Sequence, residues 1–264
     1  MTARSGTDLA SRFERDGYLV LVDFFEHDLM DRIDRAIRQH FDDEPDFLHS
    51  NDFLDRSQTD VIPWFPQREG SGAFDPITDD GRLDELTTTL LGTDWTDQYC
   101  MVMFSKPGTN GQAWHQDCAP DDARRFNLNR LVYTSDITEA NGGDLVVVPG
   151  SHRRGLIPTG DPCGALDDQL VIRPRRGTLV IVHGHMWHRV LPITATGRCS
   201  TNFRAAPVGT PDDITDVAVY RNMRYRFSTA EVVEERDVTA AERRHRGGQA
   251  APRASRSRKP SRQP

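Results

Sequence analysis

Apolar residues recur at every fourth position at Leu29, Ile33, Ile37 and Phe41, with Met30 and Ala36 beside them, so this segment predicts a helix that buries one stripe. Ahead of it, residues 18–22 (Tyr-Leu-Val-Leu-Val) form a short β-prone run, and leucines at 83, 86 and 90 predict a second helix over 81–91. Between the helices, residues 42–80 carry Pro45, Pro63, Pro66 and Pro76 together with Phe53, Trp64, Phe65 and Phe74, aromatics that read as exposed. A connection of this length is either a lid over a binding site or an irregular wrap that plugs a core edge, and the pattern does not separate the two.

After residue 95 the rhythm changes. Strands are predicted at 99–104, 128–134, 145–148, 170–172, 178–182, 199–205 and 216–220, punctuated by Pro107-Gly108, Asn141-Gly142-Gly143, Pro149-Gly150, Pro162 and Arg176-Gly177. Many short strands after a helical start predict a mainly β fold with flanking helices, a double-sheet sandwich or barrel with the helices packed on one side. One domain is expected over 1–240, helical to about 95 and β from about 96 to 228.

Composition narrows the class. The longest apolar runs, 145–148 and 179–182, fall far short of the roughly 18 residues a membrane helix needs. Residues 1–17 carry charges where an export signal would be apolar, so a cytoplasmic location is expected. Cys100, Cys118, Cys163 and Cys199 form no Cys-x-x-Cys pair and read as reduced thiols. The net charge of −7 hides an asymmetry: residues 241–264 hold eight Arg or Lys against one Glu, which leaves the body near −14. An acidic body is a poor partner for a nucleic-acid backbone. The basic tail has no large apolar residue to bury and is expected to be disordered.

The sharpest chemical feature is Trp114-His115-Gln116-Asp117. In an extended segment His115 and Asp117 point to one face, so an imidazole and a carboxylate can share a metal. Third-ligand candidates stand far along the chain, at His183, His185 and His188 around the exit of the apolar run that begins at Gly177. Two histidines and one carboxylate occupy one face of an octahedron and leave three positions open, the arrangement of non-haem Fe(II) sites that take a cosubstrate and O2. On extended geometry His183 and His185 share a face, while His188 follows a turn or bend. His152, in a Pro-Gly-Ser-His turn, reads as structural. Arg198, with Ser200 two residues on, offers a fixed guanidinium and a hydroxyl suited to one end of a dicarboxylate.

Taken together, these stretches resemble the phytanoyl-CoA dioxygenase family of Fe(II)/2-oxoglutarate-dependent oxygenases. The resemblance rests on Asp16-Gly-Tyr-Leu-Val-Leu, Lys106-Pro107, Trp114-His-Gln-Asp117, Asp136 with Asn141-Gly142, Pro149-Gly-Ser-His152, the run from Gly177 to His188, and Arg198-x-Ser200. It implies a double-stranded β-helix (jelly-roll, cupin-like) core, with iron held by His115, Asp117 and His188. It also implies that Arg198 and Ser200 hold the distal carboxylate of 2-oxoglutarate, with Lys106 lining the cosubstrate pocket. The interval from His188 to Arg198 is one residue short of the family's, which makes Arg204 an alternative anchor. The implied reaction consumes O2 and 2-oxoglutarate, releases succinate and CO2, and oxidises an aliphatic C–H of a small polar metabolite or natural-product intermediate. Asp117 favours hydroxylation, because the family's halogenases replace this carboxylate by a small residue.

Substrate recognition is expected from the 42–80 segment and from Arg124, Arg125, Asn127 and Asn129. The expected partner is a small molecule, with no nucleic acid or membrane, in a monomer or homodimer; by analogy the role lies in secondary metabolism. Two rivals stand beside this reading: a cupin-like metalloenzyme that does not use 2-oxoglutarate, and a non-catalytic metal-binding scaffold on the same fold.

Overall fold

The computed structural model describes residues 6–41, 49, 51–211, 217–226 and 235–238. The basic segment 241–264 and residues 42–48 and 50 of the proline-rich connection lie outside the described residues. The helices are α1 (Gly6–Asp16), α2 (His27–Phe41), α3 (Asn51–Ser57), α4 (Asp75–Thr78) and α5 (Gly81–Leu91). Strands β1 (Tyr18–Leu21) and β2 (Ile62–Trp64) lie among them. The β region then runs β3 (Trp95–Ser105), β4 (Gln112–Gln116), β5 (Leu128–Val132), β6 (Leu145–Val147), β7 (Leu170–Ile172), β8 (Leu179–His183), β9 (His188–Val190) and β10 (Arg198–Pro207). It closes with β11 (Val217–Tyr220), β12 (Met223–Arg226) and β13 (Glu235–Val238).

The strands form two antiparallel sheets, one ordered β1-β8-β5-β10-β3-β2 and the other β13-β12-β11-β4-β9-β6-β7. This is the jelly-roll arrangement expected from the sequence, with the helices on one side. Strand alternation decides which side chain faces which layer. On β8, Leu179 and Ile181 join the helices in one core, while Val180 and Val182 join a second core with Leu131 and Val147. On α2 the buried stripe is Met30, Ile33, Ile37 and Phe41, and Leu29 packs at its margin. Burial of each such side chain contributes about 1.5–3 kcal/mol, which is what holds the helices against the six-stranded sheet.

Several expectations change. Phe53, Trp64 and Phe74 are buried and not exposed, because the described part of the 42–80 segment folds into α3, β2 and α4 over the edge of β3. The strand that carries His115 was not resolved by the hydrophobic pattern, since Gln112–Gln116 mixes polar and apolar residues that are all buried. The four cysteines are free, as expected. Among the described residues no helix is long and apolar enough to cross a membrane.

The Pro-Gly-Ser-His turn has a clear structural task. The last four carbonyls of a helix need partners, and those of α1 receive Gly17 N–H on Phe13, His152 Nε2 on Glu14, Arg153 Nη2 on Arg15 and Gly150 N–H on Asp16, at 2.7–3.1 Å. Gly17 is left-handed, at φ 79°, and a Cβ there would come within 2.3 Å of the His152 ring, so only glycine fits. In the same turn Ser151 Oγ accepts the Trp187 N–H at 2.9 Å, which ties the turn to the residue before His188.

His183 lies between the rings of His152 and His185, each at 4.9 Å, and stacks on Phe126 at 4.0 Å. Burial pushes all three histidines below their ordinary value, His183 most strongly. The unfolded chain takes up protons near pH 6.5 while the folded chain resists, so their contribution is fully present above that pH and is lost as pH falls below it. The melting temperature is therefore expected to drop between pH 7.5 and 5.5, and His183→Phe should shrink that drop; calorimetry on both proteins checks it.

Candidate metal and cosubstrate site

The register of β4 against β9 places His115 directly opposite His188, with ring centroids 4.1 Å apart. Asp117 follows two residues after His115 on the same face, while Trp114 and Gln116 turn outward to bond the 155–164 loops. One ligand atom from each of His115, Asp117 and His188 lies within 4.8 Å of the others, and all three residues are buried. His115 Nδ1 donates to the Ala113 carbonyl at 2.8 Å and His188 Nδ1 to the Met186 carbonyl at 3.0 Å. With each Nδ1 turned to a carbonyl, Nε2 is the ring atom of both histidines that faces the carboxylate, the orientation a metal-ligating histidine needs.

The electrostatics fit a cation. Burial and the neighbouring His188 lower His115 to about 4, so its imidazole is neutral at pH 7. His188 is raised: burial works against its charged form, but the Asp117 carboxylate 3.2 Å from Nε2 outweighs it. Asp117 is held well below the usual carboxylate range; burial opposes this, and His188 and Arg204 overcome it. A divalent ion would replace the His188 proton as the partner of Asp117. His185 is not part of this cluster; its Nε2 bonds the Arg125 carbonyl at 3.0 Å, and His183 belongs to the stacked histidines.

Two further residues hold Asp117. Asn129 Nδ2 donates to Oδ2 at 2.7 Å, and Arg204 Nη2 reaches Oδ1 at 3.1 Å. Arg204 is thus beside the metal ligands, and the alternative anchoring role belongs to a different place in the cleft from that of Arg198. Asn129 serves the carboxylate, and neither Arg124 nor Arg125, both exposed, lines the cleft. Asn127 Nδ2 bonds the Asp117 carbonyl and fixes the backbone there.

The triad opens into a cleft. Along one wall β10 presents Arg198, Ser200, Asn202 and Arg204 at every second position, the period of a strand with one face inward. Arg198 is buried; Nε donates to the Gly143 carbonyl at 2.8 Å, Nη1 to Ser200 Oγ at 3.2 Å and Nη2 to the Tyr133 hydroxyl at 3.4 Å. A Cβ on Gly143, which has φ 79°, would lie 2.5 Å from Arg198 Cδ, so the second glycine of Asn-Gly-Gly makes room for the guanidinium. Among the described residues no carboxylate lies within ion-pair distance of Arg198, whereas the buried Arg130 on the helix side pairs with Asp97. A buried cation without an internal anion is costly unless a ligand supplies one.

The remaining lining is largely apolar: Phe53, Val61 and Phe65 from the 42–80 segment, Met101 and Met103 from β3, and Tyr220, which stacks on His115 at 5.2 Å. Lys106 is half-buried at the end of β3 and does not line the cleft; its carbonyl accepts the Thr109 hydroxyl. Sequence reasoning missed Asn202, Tyr133 and the clamp on Asp117. The two-residue period of Arg-x-Ser-x-Asn-x-Arg was the available signal for Asn202 and Arg204.

Comparison with known proteins follows the same lines. The sequence model of phytanoyl-CoA dioxygenase (PhyH) matches residues 13–198. Ectoine dioxygenase of Sphingopyxis alaskensis is 30% identical over 160 residues, covering 58% of this chain and 51% of that protein. Ectoine dioxygenase of Stutzerimonas stutzeri is 28% identical over 154 residues, 55% of this chain and 50% of that one. The matched stretch thus spans about half the length of these curated relatives. Among solved structures, the epimerase SnoN in complex with Fe3+, alpha ketoglutarate and nogalamycin RO aligns with a TM-score of 0.59 at 20% identity, over 82% of this chain and 86% of that one. HygX from Streptomyces hygroscopicus with nickel and 2-oxoglutarate aligns with a TM-score of 0.60 at 14% identity, over 79% and 88%. At these identities the structural likeness speaks for the fold.

Proposed function

The chain belongs to the phytanoyl-CoA dioxygenase family, and from that premise we propose that it is a non-haem Fe(II)/2-oxoglutarate-dependent oxygenase acting on a small molecule. The observation that carries this reading is the pairing, in one cleft, of a two-histidine, one-carboxylate cluster with a buried arginine that has no carboxylate partner among the described residues. The first accepts a divalent metal with open positions; the second accepts the far end of a dianion.

In this reading His115, Asp117 and His188 hold iron through Nε2, a carboxylate oxygen and Nε2. Bound iron supplies the redox chemistry that couples decarboxylation of 2-oxoglutarate, to succinate and CO2, with oxidation of a C–H bond by O2. The chain's own part is geometric and electrostatic. The Ala113 and Met186 carbonyls fix both imidazoles, Asn129 and Arg204 fix the carboxylate, and Arg198 with Ser200 orients the distal carboxylate of 2-oxoglutarate. The apolar wall of Phe53, Phe65, Met101 and Met103 keeps water away and aims the substrate carbon. Hydroxylation of an aliphatic C–H is the outcome we assign, on the strength of the carboxylate at Asp117. The substrate is a small metabolite or natural-product intermediate, with an apolar body to match that wall.

Anaerobic addition of Fe(II) and 2-oxoglutarate to the apoprotein should produce the weak visible charge-transfer band of a chelated 2-oxo acid, and His188→Ala should abolish it. Iron binding without a band would favour a cupin-like metalloenzyme that does not use 2-oxoglutarate or a non-catalytic metal-binding scaffold.

A further inference from the structure

The polar groups beside the triad form a chain whose orientation is fixed by its first member. Asp117 only accepts hydrogen bonds when ionised, so the group facing its Oδ2 at 2.7 Å must be the Nδ2 of Asn129. The Oδ1 of Asn129 then points the other way and accepts from both Arg204 Nε, at 2.9 Å, and Asn202 Nδ2, at 2.8 Å. Asn202 has its amide nitrogen committed, and its Oδ1 is left as a buried acceptor with no partner. Asn202 is 2% exposed and belongs to the inward row of β10, between Ser200 and Arg204.

An acceptor buried in this way needs a donor. A metal ion cannot donate a hydrogen bond, and the carboxylates and ketone of 2-oxoglutarate are acceptors only at neutral pH. The lining adds a second restriction: among the described residues Asp117 is the only carboxylate on it, and Asn129, Arg204 and His188 already claim that group. A cationic substrate would find no free counter-anion among the described residues and two arginines against it.

We propose that Asn202 is a specificity-determining residue of the cleft, its Oδ1 accepting a hydrogen bond from a hydroxyl or amide N–H of an uncharged substrate whose apolar body lies against Phe53, Phe65, Met101 and Met103. This rests on the oxygenase reading above and narrows its substrate class to uncharged alcohols or amides with an apolar frame.

The test uses the full chain with Fe(II) and 2-oxoglutarate under anaerobic conditions and three matched probes: 2-naphthol as donor, its methyl ether as acceptor only, and 2-naphthylmethylammonium as cation. Binding is read by calorimetry and by perturbation of the charge-transfer band. The expected result is that 2-naphthol binds about tenfold or more tightly than the ether, which corresponds to about 1.4 kcal/mol, and that the ammonium binds weakest. In Asn202→Val the preference for the naphthol over the ether should fall to about twofold or less. Equal affinity for naphthol and ether in the parent protein would overturn the proposal without recourse to any variant. A preference that survives in a folded Asn202→Val, tightest binding by the ammonium, or binding of none of the three would overturn it as well. If the charge-transfer band fails to form but calorimetry gives the expected order, the cofactor reading fails and the role of Asn202 stands.

Discussion

Asp117→Ala is expected to bind no Fe(II) at micromolar metal and also to melt at a lower temperature than the parent when both are free of metal. The first effect follows from removing one of three ligands. The second comes from the residues that hold Asp117. Arg204 is 1% exposed and its charge faces the carboxylate at 3.1 Å. Breaking a buried pair by deleting one member typically costs about 3–5 kcal/mol, because the remaining buried charge loses the carboxylate that offset its desolvation. At this size each kcal/mol corresponds to about 2–4 °C in melting temperature, so a loss on the order of 10 °C is expected. Scanning calorimetry with chelator present measures it, and an unchanged melting temperature would mean that Arg204 does not depend on Asp117.

Arg198→Met is expected to do the opposite to stability and to strike a different function. Its affinity for 2-oxoglutarate should fall about thirtyfold or more, because truncating one partner of a buried hydrogen-bonded charge pair costs about 2–5 kcal/mol. Fe(II) affinity should stay within about twofold, since no metal-ligand candidate bonds Arg198. Without ligand the variant should be as stable as the parent or more so, because the guanidinium is desolvated with no carboxylate partner among the described residues. Arg198→Lys should not restore binding: one ammonium cannot serve Gly143, Ser200, Tyr133 and a carboxylate at once. Unchanged 2-oxoglutarate affinity in Arg198→Met would remove the arginine from the cosubstrate site.

The site was only partly legible in the sequence. His115, Asp117, His188 and Arg198 were readable because each is a reactive residue type set in a short local pattern, and the structure brings all four to one cleft. The helices α2 and α5 were readable because their stripes follow the helical period, and most strands because they alternate or run apolar between turns. What the pattern could not give is pairing across distance. Asn129 reads as a substrate-recognition residue at the start of a strand, yet it is buried on β5 and meets Asp117 twelve positions away, because β5 runs beside β10 in the sheet below the triad. Lys106 reads as a pocket residue next to a proline, yet the end of β3 carries it clear of the cleft. Phe53 and Trp64 look exposed in a proline-rich stretch, and only the position of that stretch over β3 buries them.

The turn at Gly150–His152 has a consequence for the order in which the chain acquires structure. Three of the four carbonyls that end α1, those of Glu14, Arg15 and Asp16, are satisfied by residues more than 130 positions later, and among the described residues β1 pairs only with β8. A nascent chain that has emerged only to residue 95 therefore holds helices with no sheet to lie on and a β1 with nothing to pair with. Such long-range closure slows folding, and it leaves the apolar stripe of α2 open to other chains during synthesis. Expression at low temperature or with chaperone support should raise the soluble yield, and fragments cut near residue 95 should aggregate from either side of the cut.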